Sequence, residues 1–512
     1  MNLNSTKSAG LIITVLLLIS LQLILAIPGY GKEVPRITHG SILGIWRCTP
    51  ETALKFPEGT LEPVILIMED TDSLLTALGC FLWEGLYYDQ WEIKEVHYSD
   101  STATVRFTDG DNSVFNGTLN METGIIKGVV HPGDPGNGDS MDALDFIRAD
   151  SALMHRLFYP RMPDAEGKAV YAYQPPEALD DGLKTASIMD KITGGNALSG
   201  LMNHITGQEY GHLESLLVVK DGDLVLEEYF FGYDRTTIHN IHSCTKSVLS
   251  LLLGMSMEGH DSLNADLPLF RFFPEYDRLF TGEKRQITLK HLLTMNSGLD
   301  MEDMPDLPDS KEQIETILAQ PLDSEPGSRF SYCNDCSQLL GWVIYSLSGM
   351  QPDVYAAEQL FRPLGITEFY WETDNGIPHA YSDLHLLPRD MAKIGLLVLQ
   401  DGQWDGKQIV PREWIRESTR PYVHESPYFE YGLYWWYRSQ SDLPWWKEPG
   451  TGTPMEHDKI IALGYGGQYI FIIRDLNLVV TTTASDYGNG LKARSKVPMV
   501  IEELVPLLEA PK

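Results

Sequence analysis

The stretch "HSCTKSVLSLLLG" (His242 to Gly254) decides the fold class of this 512-residue chain. It places Ser243 and Lys246 three residues apart at the start of an almost wholly apolar run, and residues with this spacing share one face of a helix. A lysine is rarely buried without a partner. The spacing therefore suggests a hydroxyl–amine pair. The alternative is a helix-capping serine followed by a lysine whose amine reaches solvent.

Two later motifs supply groups that serine chemistry needs. A serine hydroxyl is a weak nucleophile unless a base removes its proton, and a desolvated lysine can be that base. Tyr332-x-Asn334, in "PGSRFSYCN", follows a turn and precedes a predicted helix. The segment "LGYGGQYIFI" (Leu463 to Ile472) puts a glycine-rich turn before an apolar strand, where a backbone N–H can approach a substrate closely.

In this order, the three motifs resemble those of serine β-lactamases and penicillin-binding proteins. The segments "VVKDGDLVLEEYFFGY", "ITLKHLLTMNSGL", "LFRPLGI" and "PRDMAKIGLLVLQDGQW" are similar to the class C β-lactamase-related hydrolases. That group includes esterases, D-aminopeptidases and 6-aminohexanoate-dimer-type amide hydrolases. The resemblance covers about Tyr171 to the C-terminus. It implies an α+β domain with an antiparallel sheet flanked by helices and a helical subdomain.

The resemblance also implies a role for each matching residue. Ser243 is expected to be the acylated nucleophile and Lys246 its general base. Tyr332 is expected to carry the proton to the leaving group, and Asn334 to orient Lys246 or the substrate. The backbone N–H groups of Ser243 and Gln468 are expected to form the oxyanion hole. No metal or other cofactor is implied.

The third motif departs from the family pattern, because Tyr465-Gly466-Gly467 stands where Lys-Thr-Gly is usual. Without that lysine, the carboxylate of a β-lactam or peptidoglycan stem loses its usual cation. The departure favours ester or amide hydrolysis over true β-lactamase activity. Tyr465, Gly466 and Gly467 are assigned to substrate binding together with Trp435, although core packing is an equal alternative for Trp435 and its neighbour Trp436.

Simpler explanations stay open for individual residues. Tyr332 could be an ordinary loop aromatic, Asn334 could cap the following helix, and the turn at Tyr465 could be a plain hairpin. Cys244 is expected to be a small packing residue. His242, next to the serine, could reach the cleft.

The segment from Ile37 to about Arg148 predicts a different domain. Short strands such as "TATVRFTD" and "SVFNGTLNM" are separated by turn-prone pairs, which indicates a small antiparallel barrel or sandwich. Its opening "GIW" (Gly44 to Trp46) is similar to lipocalin-type barrels. The predicted domains are residues 1–31 as a signal peptide or anchor, 37–150 as the β domain and 151–512 as the hydrolase domain.

Composition and the N-terminus indicate an exported globular protein. Hydrophobic residues make up 43% of the chain, and the formal net charge of −32 excludes a nucleic-acid partner that needs clustered Lys and Arg. Lys7 precedes the apolar run Leu11 to Ile27, which predicts a signal peptide cleaved near Gly31 or an uncleaved anchor. Secretion or periplasmic export is expected, with membrane attachment only if the leader is retained. The expected substrate is a small-molecule ester or amide. The sequence does not determine the oligomeric state.

The five cysteines leave their pairing open. Cys48 and Cys80 are a plausible disulfide within the β domain. Cys333 and Cys336 flank Asn334 and could stiffen that loop if bonded, while two separate packing thiols are an equal alternative.

Two other functions compete with the hydrolase. One is a binding protein that keeps the fold but has little or no turnover. The other is a hydrophobe carrier led by the β domain, which rests only on "GIW". Retention of Ser243, Lys246 and Tyr332 together favours the enzyme.

Overall fold

The structure, a computed structural model, covers two units. It describes residues 44–48, 54–56, 59–69, 75–83, 86–91, 93–99, 102–109, 114–120, 123–131, 143–148, 162–163, 169–192, 195–206, 209–231, 233–260, 262–301, 311–426, 429–439, 457–486 and 496–509. Tertiary contacts group Met1–Ala172 with Tyr229–Asp234 as the first unit and Tyr173–Glu228 with Arg235–Lys512 as the second. The predicted leader lies outside the described residues.

The first unit is built on one antiparallel sheet of ten strands. They are β1 (Gly44–Cys48), β2 (Leu54–Phe56), β3 (Gly59–Glu69), β4 (Leu75–Trp83), β5 (Leu86–Trp91), β6 (Ile93–Ser99), β7 (Thr104–Asp109), β8 (Val114–Asn120), β9 (Ile125–His131) and β10 (Ala143–Arg148). The strand order is β5-β4-β3-β1-β10-β9-β8-β7-β6, and β2 pairs with β3. Because β4 also contacts β6, the sheet curls into a partial barrel. The all-β prediction is confirmed, in its barrel-like form.

Burial alternates along the strands of this sheet. Along β8, every second residue from Phe115 is buried and the residues between are exposed, as expected for strands with one face on a core. Phe115 and Phe146 meet edge to face with ring centroids 5.8 Å apart. The guanidinium of Arg148 lies 4.3 Å from the centre of the buried Trp46 ring. Cys48 is buried, whereas the side chain of Cys80 lies outside the description, so their pairing stays a prediction. A short hairpin, β11 (Met162–Pro163) with β12 (Ala169–Val170), follows.

The second unit has a nine-stranded sheet at its centre. Its strands are β13 (Lys184–Thr185), β14 (Leu213–Lys220), β15 (Asp223–Tyr229), β23 (Val423–Ser426), β24 (Phe429–Tyr431), β25 (Trp436–Arg438), β26 (Lys459–Gly464), β27 (Gln468–Ile473) and β28 (Leu478–Ala484). The order is β13-β15-β14-β28-β27-β26-β25-β24-β23. An early hairpin, β14–β15, therefore lies beside the late pair β27–β28 in one sheet. The central pairs β14–β28 and β27–β28 are antiparallel, which confirms the antiparallel sheet that the family resemblance implied.

Seven shorter strands lie between these two groups. They are β16 (His239–Asn240), β17 (Phe369–Trp371), β18 (Thr373–Asp374), β19 (Ile377–Pro378), β20 (Leu384–Leu386), β21 (Gln403–Trp404) and β22 (Lys407–Gln408). The order β16-β20-β17 forms a three-stranded sheet, and β18–β19 is a hairpin beside it.

Nine α-helices are described in the second unit. They are α1 (Gly195–Thr206), α2 (Cys244–Ser256), α3 (Leu289–Leu293), α4 (Lys311–Ala319), α5 (Asn334–Ser348), α6 (Pro352–Tyr355), α7 (Pro388–Leu399), α8 (Arg412–Ser418) and α9 (Met499–Leu508). Helix α2 contacts α5 and strand β26, and α7 packs on β14, β27 and β28. The helix that carries Ser243 and Lys246 thus lies between the sheet and the helical region. Among the described helices, none combines the length and apolarity needed to cross a bilayer.

Candidate active site

Ser243 stands immediately before helix α2, with its hydroxyl available for chemistry. Every residue of α2 is buried, which agrees with the apolar run that predicted a central helix. Ser243 occupies the N-cap position, yet its side chain makes no capping hydrogen bond. The capping alternative for Ser243 is therefore wrong.

Lys246 lies one turn into α2, with its amine enclosed by three neutral oxygen atoms. Its Nζ is 3.2 Å from Ser243 Oγ, 2.7 Å from Asn334 Oδ1 and 2.6 Å from the carbonyl oxygen of Tyr381. Only 1% of the residue is exposed, so the amine does not reach solvent. Ser243, Lys246 and Asn334, predicted from separate motifs, are brought together here.

Burial controls the charge of this amine. Desolvation lowers the pKa of Lys246 to about 7, while the carboxylate of Asp383 acts in the opposite direction. A lysine with this pKa is substantially neutral at physiological pH, which is the form that can accept a proton.

The third partner of Lys246, a main-chain carbonyl, is positioned by the three-stranded sheet. Strand β16 pairs with β20, and the N–H of Ile241 donates to the carbonyl of Leu384 at 2.9 Å. These bonds hold the segment that ends at Leu384 against the start of α2, so that Tyr381 presents its carbonyl to Lys246. Sequence analysis missed Tyr381, because a main-chain contact leaves no side-chain signature.

Tyr332 lies over the same amine. Its ring centre is 5.0 Å from Lys246 Nζ. Desolvation of the hydroxyl raises the pKa of Tyr332 to about 12, and its hydrogen bond with the Ser243 hydroxyl acts in the opposite direction. The residue as a whole is 40% exposed, so part of it borders solvent while the hydroxyl faces Ser243.

The tryptophan that lies beside Tyr332 is not the one that the sequence analysis assigned to substrate binding. Trp436 stacks on Tyr332, with centroids 6.1 Å apart and planes inclined by 15°. Trp435, which the sequence assigned to substrate binding, is fully buried. That assignment is wrong because Trp435 has no exposed surface to offer a substrate, whereas the partly exposed Trp436 lies beside Tyr332.

A disulfide fixes the segment that carries Tyr332 and Asn334. Cys333 and Cys336 are bonded, so the alternative of two separate thiols is wrong. The sulfur of Cys333 accepts the N–H of Cys336 and thereby caps α5. Because Cys333 is the cap and the Asn334 amide oxygen accepts from Lys246, the capping alternative for Asn334 is also wrong.

The glycine-rich turn approaches the other side of Ser243. Gly466 and Gly467 have φ of 81° and 102°, values that favour glycine, and form the turn into β27. A side chain at Gly464 would lie 2.3 Å from the Ile241 carbonyl, so only glycine allows this approach. The Cys244 thiol donates to the carbonyl of Gln468 at 3.4 Å and so joins the turn to α2.

The two backbone donors expected to form the oxyanion hole therefore lie on adjoining segments. Among the described residues, no backbone carbonyl accepts the N–H of Ser243. Gln468 begins β27, directly after the turn.

Tyr465, the first residue of the turn, is 53% exposed. Its ring meets the ring of His242 edge to face, with centroids 6.0 Å apart.

A polar network behind Ser243 was not predicted. His242 has a left-handed φ of 46°, and its N–H donates to Asn240 Oδ1 at 2.8 Å. Asn240 Nδ2 donates to Asp383 Oδ1 at 2.9 Å, and the other oxygen of Asp383 lies 2.9 Å from His379 Nδ1. His379 and Asp383 lie in the segment "HAYSDLH", whose mixture of polar residues has no spacing that indicates a site.

Known proteins were compared with this chain. A family model described as Beta-lactamase matches residues 211–497, more than half of the chain. The chain belongs to the beta-lactamase family. The match includes all the motif residues discussed above. Family and fold together support a hydrolase of the β-lactamase superfamily.

Individual proteins that are similar to this chain are distant from it in sequence. Protein flp of Staphylococcus aureus strain MRSA252 is 27% identical over 183 residues, which is 32% of this chain and only 36% of that protein. An uncharacterised protein of Alkalihalophilus pseudofirmus is 22% identical over 307 residues, or 54% of this chain and 84% of that protein. A solved candidate β-lactamase of Bacteroides dorei is 20% identical, has a TM-score of 0.50 and covers 62% of this chain and 99% of its own. That last likeness concerns the fold alone.

Proposed function

We propose that this protein is a serine hydrolase that cleaves an ester or amide bond through an acyl-enzyme. Ser243 is the nucleophile, Lys246 its general base and Tyr332 the proton donor to the leaving group. The observation that carries the proposal is the Lys246 amine. It is buried, lies 3.2 Å from Ser243 Oγ, and has a pKa lowered to about 7.

The hydrogen-bond geometry of Lys246 fits a neutral base. A neutral amine has two N–H donors and one lone pair. The two shortest contacts, to Asn334 Oδ1 and Tyr381 O, use the donors. The lone pair then faces the Ser243 hydroxyl, which can donate its proton along the third contact.

The pKa values favour Lys246 over Tyr332 as the base. At pH 7 about half of the lysine is neutral, whereas with a pKa of about 12 only about one tyrosine in 100,000 is a phenolate. Even at the ordinary tyrosine pKa the phenolate fraction would be about one in 1,000. Tyr332 is therefore suited to give a proton first, and Lys246 to take one.

Acylation follows from these roles. Lys246 Nζ takes the proton of Ser243 Oγ as that oxygen bonds to the substrate carbonyl carbon. The N–H groups of Ser243 and Gln468 donate to the negative carbonyl oxygen of the tetrahedral intermediate. The bond from that carbon to the leaving group then breaks, and Tyr332 gives its proton to the departing oxygen or nitrogen. The acyl-enzyme is left with a Lys246 ammonium and a Tyr332 phenolate.

Deacylation restores both groups. The Tyr332 phenolate takes a proton from water as the water oxygen bonds to the acyl carbon. The bond to Ser243 Oγ then breaks, and Lys246 returns its proton to that oxygen. The carboxylic acid leaves and the free enzyme is regenerated.

The third motif supports esters or amides in preference to β-lactams. The exposed Tyr465 offers an aromatic ring and a hydroxyl where a β-lactamase of the usual pattern offers a lysine ammonium. Trp436 and Tyr332 add an aromatic wall beside the nucleophile, which suits an apolar acyl or leaving group. We also propose that the protein is exported, on the basis of the apolar N-terminal sequence, and that it acts on a small molecule.

A substrate panel tests the proposal. Purified wild type is compared with Ser243→Ala on a short-chain p-nitrophenyl ester, a D-amino-acid anilide, a linear ω-amino-acid amide and a chromogenic cephalosporin. The matched control is Ser328→Ala, which removes an exposed hydroxyl from the loop that leads to Tyr332. We expect ester or amide turnover that Ser328→Ala keeps and Ser243→Ala loses. Ligand binding without turnover, equal in all three proteins, would instead establish the binding-protein alternative.

A further inference from the structure

A cluster of titratable side chains lies apart from the Ser243 site, where the β18–β19 hairpin meets β17 and β20. It contains two imidazoles and three carboxylates, from Glu372, Asp374, His379, Asp383 and His385. One donor atom from each of Glu372, His379 and Asp383 lies within 4.8 Å of the other two. We propose that Glu372, His379 and Asp383 bind a divalent transition-metal ion, with His385 as a fourth ligand.

The donor spacing is close to that of a metal site. His379 Nδ1 lies 2.9 Å from Asp383 Oδ2, and His385 Nε2 lies 3.7 Å from Glu372 Oε1. Ligands of a tetrahedral ion with bonds of about 2.0–2.2 Å are roughly 3.3–3.6 Å apart. Because the donors of Glu372, His379 and Asp383 already lie within 4.8 Å of one another, side-chain rotations would bring these three around one ion, and His385 would join them beside Glu372.

The main chain holds the three ligands in fixed relation. The N–H of Glu372 donates to the carbonyl of Asp383 at 3.1 Å, and the N–H of His379 donates to the carbonyl of Glu372 at 3.0 Å. Each of the three ligand backbones is thus bonded to another of the three. Little conformational entropy would be lost when an ion binds, which favours affinity.

The charge and chemistry of the cluster select the class of ion. The cluster has three carboxylates and two imidazoles. When the imidazoles are neutral, the carboxylates leave a net negative charge that a dication would offset. Imidazole donors suit zinc, copper, iron and nickel, whereas magnesium and calcium prefer oxygen ligands alone. The Glu372 side chain is 43% exposed while that of His379 is 14% exposed, so the ion would enter from the Glu372 side.

An ion here would be linked to the catalytic lysine. Tyr381, whose carbonyl accepts from Lys246, lies between the ligands His379 and Asp383 in the chain. Asp383 also accepts from Asn240, which in turn accepts the N–H of His242 beside the nucleophile. The ion would therefore fix the segment that positions Lys246 and Ser243. It takes no part in the proposed reaction, and the site does not depend on the hydrolase assignment.

Metal titration tests the site directly. The full chain is treated with a chelator, dialysed, and titrated with ZnCl2 by calorimetry, and separately with Co2+ while its visible absorption is recorded. We expect one Zn2+ per chain and Co2+ bands of a low-symmetry site in the wild type. His379→Asn retains an N–H for Asp383 but replaces the imidazole donor with a poor one, and should weaken Zn2+ binding at least about 10-fold.

The control is another histidine–carboxylate pair. His424 Nε2 lies 3.3 Å from Glu430 Oε1, and its side chain is 79% exposed. His424→Asn should bind Zn2+ as the wild type does. Circular dichroism of each variant shows whether it is folded. The proposal is overturned if folded wild type takes up no Zn2+, if His379→Asn binds it equally well, or if Mg2+ binds in its place.

Discussion

The Nζ atom of Lys246 lies 2.7 Å from the amide oxygen of Asn334, a residue 88 positions later in the chain. Lys246 belongs to α2 and Asn334 begins α5, and these two helices pack against each other. Lys246, the proposed base, and the segment that carries Tyr332, the proposed proton donor, are therefore positioned by one helix–helix contact. Changes to either helix should act on both groups.

The first prediction concerns the pH dependence of hydrolysis. Lys246 must be neutral to act as a base, so kcat/KM should rise with pH through about 7 and fall only as pH approaches the pKa of Tyr332, about 12. A pH–rate profile with an alkyl ester or amide, whose leaving group needs a proton, measures both limbs after correction for spontaneous hydrolysis.

Asn334→Asp provides the matched variant for that profile. An aspartate 2.7 Å from the amine favours the ammonium form, so the rising limb should move to higher pH. A profile that stays level between pH 5 and 9 in the wild type, or a limb that Asn334→Asp leaves in place, contradicts Lys246 as the base.

The second prediction concerns stability. In the folded state the pKa of Lys246 is about 7, below its ordinary 10.5, so between these values the unfolded chain binds more protons. Relative to Lys246→Met, the free energy of unfolding of the wild type should rise by up to about 1.4 kcal/mol per pH unit from pH 7 to 10. Below pH 7 the difference should level off.

Denaturant unfolding of both proteins across this pH range measures the difference. Comparison with Lys246→Met cancels the titration of all groups that the two proteins share. A wild-type-minus-variant difference that is constant with pH would mean that the buried amine keeps its ordinary pKa.

The third prediction separates proton donation by Tyr332 from its packing. Tyr332→Phe keeps the ring that stacks on Trp436 but removes the hydroxyl. We expect kcat/KM, which reports acylation and not the later deacylation step, to fall by about 10²–10⁴-fold for alkyl esters or amides, whose leaving groups need a proton. The fall should be much smaller for p-nitrophenyl esters, whose leaving group departs as an anion.

Kinetics over a series of leaving groups makes this measurement. An equal loss for good and poor leaving groups would show that Tyr332 does not act as the acid.

The fourth prediction concerns the disulfide. The Cys333–Cys336 bond spans Asn334 and holds the cap of α5, so its reduction should loosen Tyr332 and Asn334 and lower kcat. Dithiothreitol titration of the wild type, followed by thiol counting, relates activity to the redox state. The double variant Cys333→Ser/Cys336→Ser should be as active as the fully reduced wild type, and dithiothreitol should not change its activity. Full wild-type activity after complete reduction would contradict the structural role.

Sequence patterns predicted the parts of the site that depend on side-chain identity. Ser243, Lys246, Tyr332 and Asn334 occur at short, characteristic spacings, and each spacing corresponds to a local geometry such as one helical turn. The β domain was predicted from its short strands and turns, as along β8, whereas the fold of the hydrolase domain was implied by the family resemblance.

The remaining parts depend on tertiary contacts that spacing does not encode. The Tyr381 carbonyl reaches Lys246 through strand pairing across 135 positions, and a carbonyl is common to all residue types. The choice between Trp435 and Trp436 depends on which side of the chain meets the core, which two adjacent tryptophans leave undecided. The cluster around His379 and Asp383 converges only when β18, β19 and β20 fold together.

The most direct test of the central claim is covalent trapping of Ser243. Wild type, Ser243→Ala and Ser328→Ala are each mixed with a fluorophosphonate probe and with a slowly deacylating p-nitrophenyl ester, and intact mass is recorded over time. The account predicts one adduct per chain in wild type and Ser328→Ala, mapped by peptide sequencing to Ser243, and none in Ser243→Ala. An adduct that persists in folded Ser243→Ala, or no adduct in a wild type that turns over substrate, would contradict it.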